Sequence, residues 1–192
     1  MALLYAVRCN FARPDLEAAW NVWYDGPKTA EILAMPLFVS GQRFVASGLD
    51  THRKYLALWV VESADVFTTP EYKAGWGFHE WQDHIRDWSR DLYPAPAGDA
   101  SAKFAVDDAS ALHLVSFDGA SLAEARALRD RVAAHRPGVT WMEAIGLDRH
   151  SPVLGVASVP RGTAPAPLAV GGVQETLFDP ISPCVRARAA AT

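Results

Sequence analysis

Trp23-Tyr24-Asp25, then Pro36-Leu37-Phe38 and Ser40-Gly41-Gln42-Arg43-Phe44, is the stretch on which the fold reading turns. It joins a helix to a strand. It also crowds two aromatics, an acid, Lys28 and Arg43 into one junction. Apolar walls with a few convergent polar groups are what a small-molecule pocket needs. Upstream, Leu3 to Phe11 reads as a strand, with Tyr5, Val7, Cys9 and Phe11 on one face and Ala6, Arg8 and Asn10 on the other. Pro14-Asp15 opens a helix, because proline suits a first turn and an acid suits the positive end of the helix dipole. Leu16, Ala19, Trp20 and Trp23 recur at helical spacing; Gly26-Pro27 is expected to interrupt the helix, and Pro36 to stop a short second piece.

Downstream, Phe38 to Ala46 is a second strand, Gly48, Asp50 and Thr51 a turn, and Tyr55 to Val61 an apolar third strand covered on both faces. A long helix is expected within Glu71 to Leu92, with Phe78, Trp81, Ile85, Trp88 and Leu92 as its buried stripe. Residues 94–109, rich in Pro, Ala, Gly and Asp, read as a linker. The pattern then restarts. Ala111 to Phe117 is a strand, Ser121 and Glu124 form a capping box on a helix reaching about His135, and Thr140 to Leu147 and Val153 to Val159 are strands. Residues 160–172 are a loop, Val173 to Phe178 a last strand, and residues 184–192 a frayed tail. The chain is therefore expected to be α+β. Two ferredoxin-like halves, residues 1–93 and 110–183, pack their antiparallel sheets as an α+β barrel.

Composition narrows the function classes. Half of the 192 residues are apolar and the net charge is −4, which leaves no basic footprint for nucleic acid or a membrane surface. Cys9 and Cys184 are read as reduced thiols of a soluble, cytoplasmic protein. Six of the seven tryptophans fall in the first half, where flat side chains build a core or wall a pocket.

At the three quoted segments the chain resembles EthD-type proteins of the dimeric α+β barrel superfamily. In these a Trp-Tyr-Asp start precedes a His-x-Pro element and a Pro-Gly-Phe step into a strand ending in Arg and an aromatic. The resemblance covers residues 3–93. Lys28 stands in place of the family histidine, Ala30 in place of its proline and Leu37 in place of its glycine. The resemblance implies a pocket between sheet and helices. The superfamily includes cofactor-free isomerases, polyketide cyclases, small monooxygenases and haem enzymes, among which fold does not choose.

The candidate residues follow. His79 and His84 are five apart, about 140° on a helix wheel, so they do not make the zinc-binding HExxH pair, and no metal is expected. His84 flanks the tryptophan stripe and His79 lies beside Asp83 or, with a distorted helix start, near the pocket; His84, His79 or Asp25 would shuttle the proton. Tyr24 is a donor to a developing oxyanion, and Asp25 a proton acceptor if burial raises its pKa; alternatively Asp25 pairs with Lys28 or Arg43. Arg43, Lys28 and Arg8 would hold an oxygen or an anionic group, and Trp23, Trp59 and Trp81 would bind a ring. A lone strand histidine, His113, is read as structural. The expected protein is a cofactor-independent enzyme of isomerase, cyclase or lyase type, acting by proton transfer on a small apolar carbonyl compound, aromatic or polyketide-like. The alternatives are a haem- or oxygen-using oxidoreductase of the same fold and a non-catalytic small-molecule binding or interaction protein. Its partner is a small molecule, and its assembly a monomer with an internal pseudo-dimer or a homodimer.

Overall fold

The computed structural model describes residues 1–48, 52–163, 165, 166, 168 and 170–188. Strand β1 (Leu3–Phe11) lies between β3 (Tyr55–Val61) and β4 (Ile85–Pro94), antiparallel to both. Beyond β3 come β2 (Phe38–Ala46), β9 (Gln174–Pro180), β5 (Ser110–Ser116), β8 (Val153–Pro160) and β6 (Thr140–Glu143). The last strand carries the chain back to the start. Ala144 donates its N–H to Pro152 beside β8, and the next residue, Ile145, donates to Leu92 on β4, where β7 (Gly146–Leu147) pairs. One bent strand thus bonds to both ends of the sheet, and the sheet closes into an antiparallel α+β barrel.

The period-two alternation of each strand sorts its side chains between the barrel interior and an outer layer. Leu4 and Ala6 face inward with Phe44, Leu56, Leu58, Leu112, Leu114, Leu154 and Phe178. Tyr5, Val7, Cys9 and Phe11 face outward, under α1 (Glu17–Trp23) and α2 (Thr29–Ala34). On the second half Val115, Phe117 and Val153 lie under α5 (Leu122–Ala133), capped by the expected Ser121–Glu124 box. Two tight contacts fix the sheet. Gly41 lies opposite Trp59, where a Cβ would sit 2.1 Å from the indole ring, and Gly155 lies opposite Trp141, where it would sit 2.6 Å away.

Several expectations are corrected. Gly26-Pro27 does not break the first helix; it widens one turn, Tyr24–Lys28, into a π-helical turn that joins α1 to α2. The Thr29 hydroxyl donates to the Tyr24 carbonyl at 2.7 Å and so bonds a carbonyl inside that widened turn. The long helix within Glu71 to Leu92 is instead α3 (Pro70–Gly75), a 3₁₀ turn (His79–His84) and β4. Here β4 carries a bulge between the partners of Arg8 and Asn10, with Asp87 at φ 50°. The bulge puts Ile85, Trp88 and Leu92 on one face at spacings of three and four, which imitates a helix in sequence. Residues 94–109 carry α4 (Ala100–Phe104), whose Ala100 and Phe104, with Val106, join the barrel interior. In the tail β10 (Val185–Arg186) pairs with Gly41 and Ser40 of β2, so this part is not frayed. Asp50, Thr51, parts of the 160–172 loop and residues 189–192 lie outside the described residues.

Candidate functional site

The site grows from the outer face of the first half. Tyr5 and Val7 of β1, Phe38 of β2 and Trp59 of β3 form its floor; Tyr24, Lys28, Ile32 and Met35 form one wall, and Tyr72, Trp76, Gly77, Phe78 and Trp88 the other. Tyr24 and Lys28, four residues apart at the two ends of the π-helical turn, share its buried face. The cleft is partly open to solvent, and its free space is about 40 Å³, room for roughly three waters. Trp76, 47% exposed and set between Gly75 and Gly77, stacks on Trp88 at 5.7 Å and covers one side.

Lys28 is the charge in this cleft. It is 2% exposed, and its Nζ donates to the Gly75 carbonyl (2.5 Å) and Glu31 (2.9 Å) and lies 3.1 Å from His79 Nε2. His79 Nε2 is also 3.0 Å from Glu31. Burial pushes the Lys28 ammonium below the ordinary lysine value, against the pull of Glu31. Burial pushes Glu31 up, but the bonds from Lys28 and His79 outweigh it and hold the carboxyl low. Since His79 is exposed, the three groups form a hydrogen-bonded path from the cleft to solvent. Burial also raises Tyr24, so its phenol keeps its proton.

The remaining expected site residues lie elsewhere. Arg43 is buried under α1, with its guanidinium 4.0 Å from the Tyr24 ring and 4.9 Å from Trp20, bonded to Asp25 (2.5 Å) and Asn21 (2.9 Å). These bonds join the guanidinium to the helix, with Asp25 as its counter-ion. His84 lies edge-on to Phe11 at 5.9 Å, away from the cleft lining. Trp81 packs on Phe11 and Trp23, and Trp23 on His79, behind the cleft wall. Arg8 points into the barrel interior. It grips Asp118 with two bonds of 2.8 and 3.0 Å and lies 3.5 Å from Asp91, while Arg53 takes Asp118 at 2.7 Å. Burial raises Asp118, but Arg8 and Arg53 outweigh it and hold the carboxyl low.

Tyr5, Tyr72, Trp88 and Arg90 were not singled out from sequence, although Tyr5 was on the outward face of β1 and Trp88 in the apolar stripe. Among the described residues no group of three His, Cys, Asp or Glu can hold a metal ion. The cleft is far smaller than a porphyrin, so its lining does not fit a haem. No described helix is long and apolar enough to cross a membrane.

No protein-family model matches the chain, and no curated protein matches its sequence. Solved structures do match. An anthrone oxidase-like protein superposes over 100% of this chain and 97% of its own, with a TM-score of 0.55 and 12% identity. A monooxygenase-like protein from Fusobacterium nucleatum subsp. nucleatum superposes over 98% of both chains, with a TM-score of 0.51 and 8% identity. The likeness is one of fold. It places the chain among ferredoxin-like α+β barrels, as the element order had implied.

Proposed function

We propose that the protein is a cofactor-independent enzyme that ionises a small, flat carbonyl or phenolic compound in the aromatic cleft of its first half. The observation that carries this reading is Lys28: an amine buried among aromatic side chains and joined to solvent through Glu31 and His79. Burial makes the ammonium easier to deprotonate, and the neutral amine, once formed, takes the acidic proton of the bound compound. The ammonium so formed stands beside the new enolate or phenolate in a site of low dielectric, where one charge stabilises another strongly. His79 then passes the proton to water. Tyr24, which keeps its proton, is a donor for the oxyanion. The chemistry of the anion after ionisation gives the reaction: return of the proton elsewhere is isomerase, cyclase or lyase chemistry. A second reading, favoured by the anthrone oxidase-like neighbour, is reaction of the anion with dioxygen. For anthrone this consumes one O₂ and yields anthraquinone and one water.

The cleft of about 40 Å³ must widen to admit a ring, and Trp76, between two glycines, is the side chain that swings aside. The EthD-type resemblance, a monomeric assembly, a cytoplasmic location and the assignment of residues 1–93 as the site-bearing unit belong to this proposal. Deuterium exchange at C10 of anthrone in D₂O, followed by NMR under nitrogen, tests ionisation; an oxygen electrode tests the second step. Exchange by wild type that disappears in Lys28→Met supports the reading. Equal exchange by both proteins sinks it.

A further inference from the structure

A count of hydrogen-bond donors shows a second polar anchor in the cleft, which the Lys28 wall does not use. Tyr5 Oη and Tyr72 Oη are 3.1 Å apart, and Arg90 Nη1 donates to Tyr72 Oη at 3.5 Å. Two hydroxyls carry two hydrogens, and one bond between them uses one. Arg90 brings a further donor and no acceptor. One phenolic hydrogen of the pair is therefore without an acceptor among the described residues. Burial raises Tyr5 strongly, so this hydrogen is not lost to ionisation. A second donor lines the same cleft. The indole N–H groups of Trp20, Trp81 and Trp88 are buried without a partner among the described residues, but only Trp88 lines the cleft. The Arg90 guanidinium lies over its ring at 4.9 Å, and Arg90 Nε is also buried without a partner. Buried donors are almost always satisfied, so orphan donors among the residues that line the cleft mark a place for an acceptor that arrives from outside.

We propose that the Tyr5–Tyr72 pair and the Trp88 indole bind one acceptor oxygen of the ligand, a carbonyl or a phenolate, while Arg90 supports them from behind with its charge. The inference rests on the cleft being a binding site, as argued above, and adds that the ligand presents an oxygen bearing no hydrogen to this wall. An oxygen without a hydrogen suits this wall because the groups left without a partner are donors. Tyr5, Tyr72 and Trp88 are binding residues in this account, and Arg90 is a positioning residue.

Acetophenone and ethylbenzene, equal in shape but for the carbonyl, are the probes. Calorimetric titration of both, with the infrared carbonyl band of bound acetophenone, gives two independent readouts. Wild type is expected to prefer acetophenone by about three- to tenfold per hydrogen bond made, with the band moved to lower wavenumber than in cyclohexane. Tyr72→Phe and Trp88→Phe should each lower the ratio of acetophenone to ethylbenzene affinity by one share and remove part of the band shift. Arg90→Met should reduce the band shift while acetophenone stays bound. Equal binding of the two probes to wild type, with an unshifted band, overturns the anchor and leaves the cleft standing; this readout needs no variant to fold. Binding of neither probe overturns the anchor and the cleft reading together.

Discussion

Replacing Asp118 by Asn tests the proposal that Arg8 is held as an ion-pair partner within the barrel. Asp118 accepts two bonds from Arg8 and one from Arg53, and all three side chains are 5% exposed. The amide keeps the shape but removes the negative charge, which leaves two guanidinium groups sharing one end of the barrel interior with Asp91 as their nearest remaining acid. Breaking a buried pair in this way costs about 3–5 kcal/mol, because two buried guanidinium groups are left with Asp91 alone nearby. For a chain of this size about 1 kcal/mol moves Tm by roughly 2–4 °C, so a fall of about 6–20 °C is expected in thermal unfolding. Urea unfolding gives the free energy directly, and the triple variant Arg8→Met, Arg53→Met, Asp118→Leu should recover most of the loss, since apolar packing can stand in for buried ion pairs. The pH dependence has a defined sign. Asp118 is held below the ordinary aspartate value, so its contribution is complete above about pH 3.9 and is lost as pH falls through the lower folded value. Asp118→Asn should flatten that acid limb. A loss under about 1 kcal/mol with the acid limb intact would refute the reasoning and return Arg8 to the list of ligand-binding candidates.

Three further outcomes follow from the same geometry. Gly41→Ala drives a Cβ against the Trp59 ring, a buried side chain with no flexible end to yield, and should cost about 1–3 kcal/mol in urea unfolding with a change in tryptophan emission. Asp25→Asn leaves the cleft untouched and concerns a part-exposed acid, so anthrone exchange should persist within about twofold while stability falls by about 1 kcal/mol or less; loss of exchange would restore Asp25 as a proton acceptor. Anthrone exchange should rise with pH, as the neutral amine of Lys28 is the active form, with a midpoint below the ordinary lysine value of about 10.4; His79→Gln should slow exchange at every pH without moving that midpoint far.

Strands were readable because each carries its own record. In β1, Tyr5, Val7 and Cys9 alternate with Ala6 and Arg8, and burial on two different layers preserves the pattern. The capping box at Ser121 was equally local. What failed was non-local. The bulge at Asp87 adds one residue to β4 and converts a period of two into an apparent period near 3.5, so Ile85, Trp88 and Leu92 read as a helix face. Gly26-Pro27 read as a break because the widened turn is bonded by Thr29, a partner whose role depends on the turn being there. In the site, Lys28 and Tyr24 were found from a crowded junction. Asp25 and Arg43 were correctly weighed as a possible ion pair, which is how they are joined. Tyr72 and Arg90 were missed, since their bond to Tyr5 spans the chain and leaves no spacing in sequence.

The bent strand from Thr140 to Leu147 has a consequence for how this molecule can change. Where a ring is assembled from two identical copies, every substitution occurs twice, and an innovation on one outer face is copied onto the other whether or not it is useful there. Joining both margins with a single polypeptide removes that constraint. Indole and phenol groups could collect over Tyr5 and Trp59 while the counterpart face, over Phe117 and Trp141, stayed packed under α5 as a plain buttress.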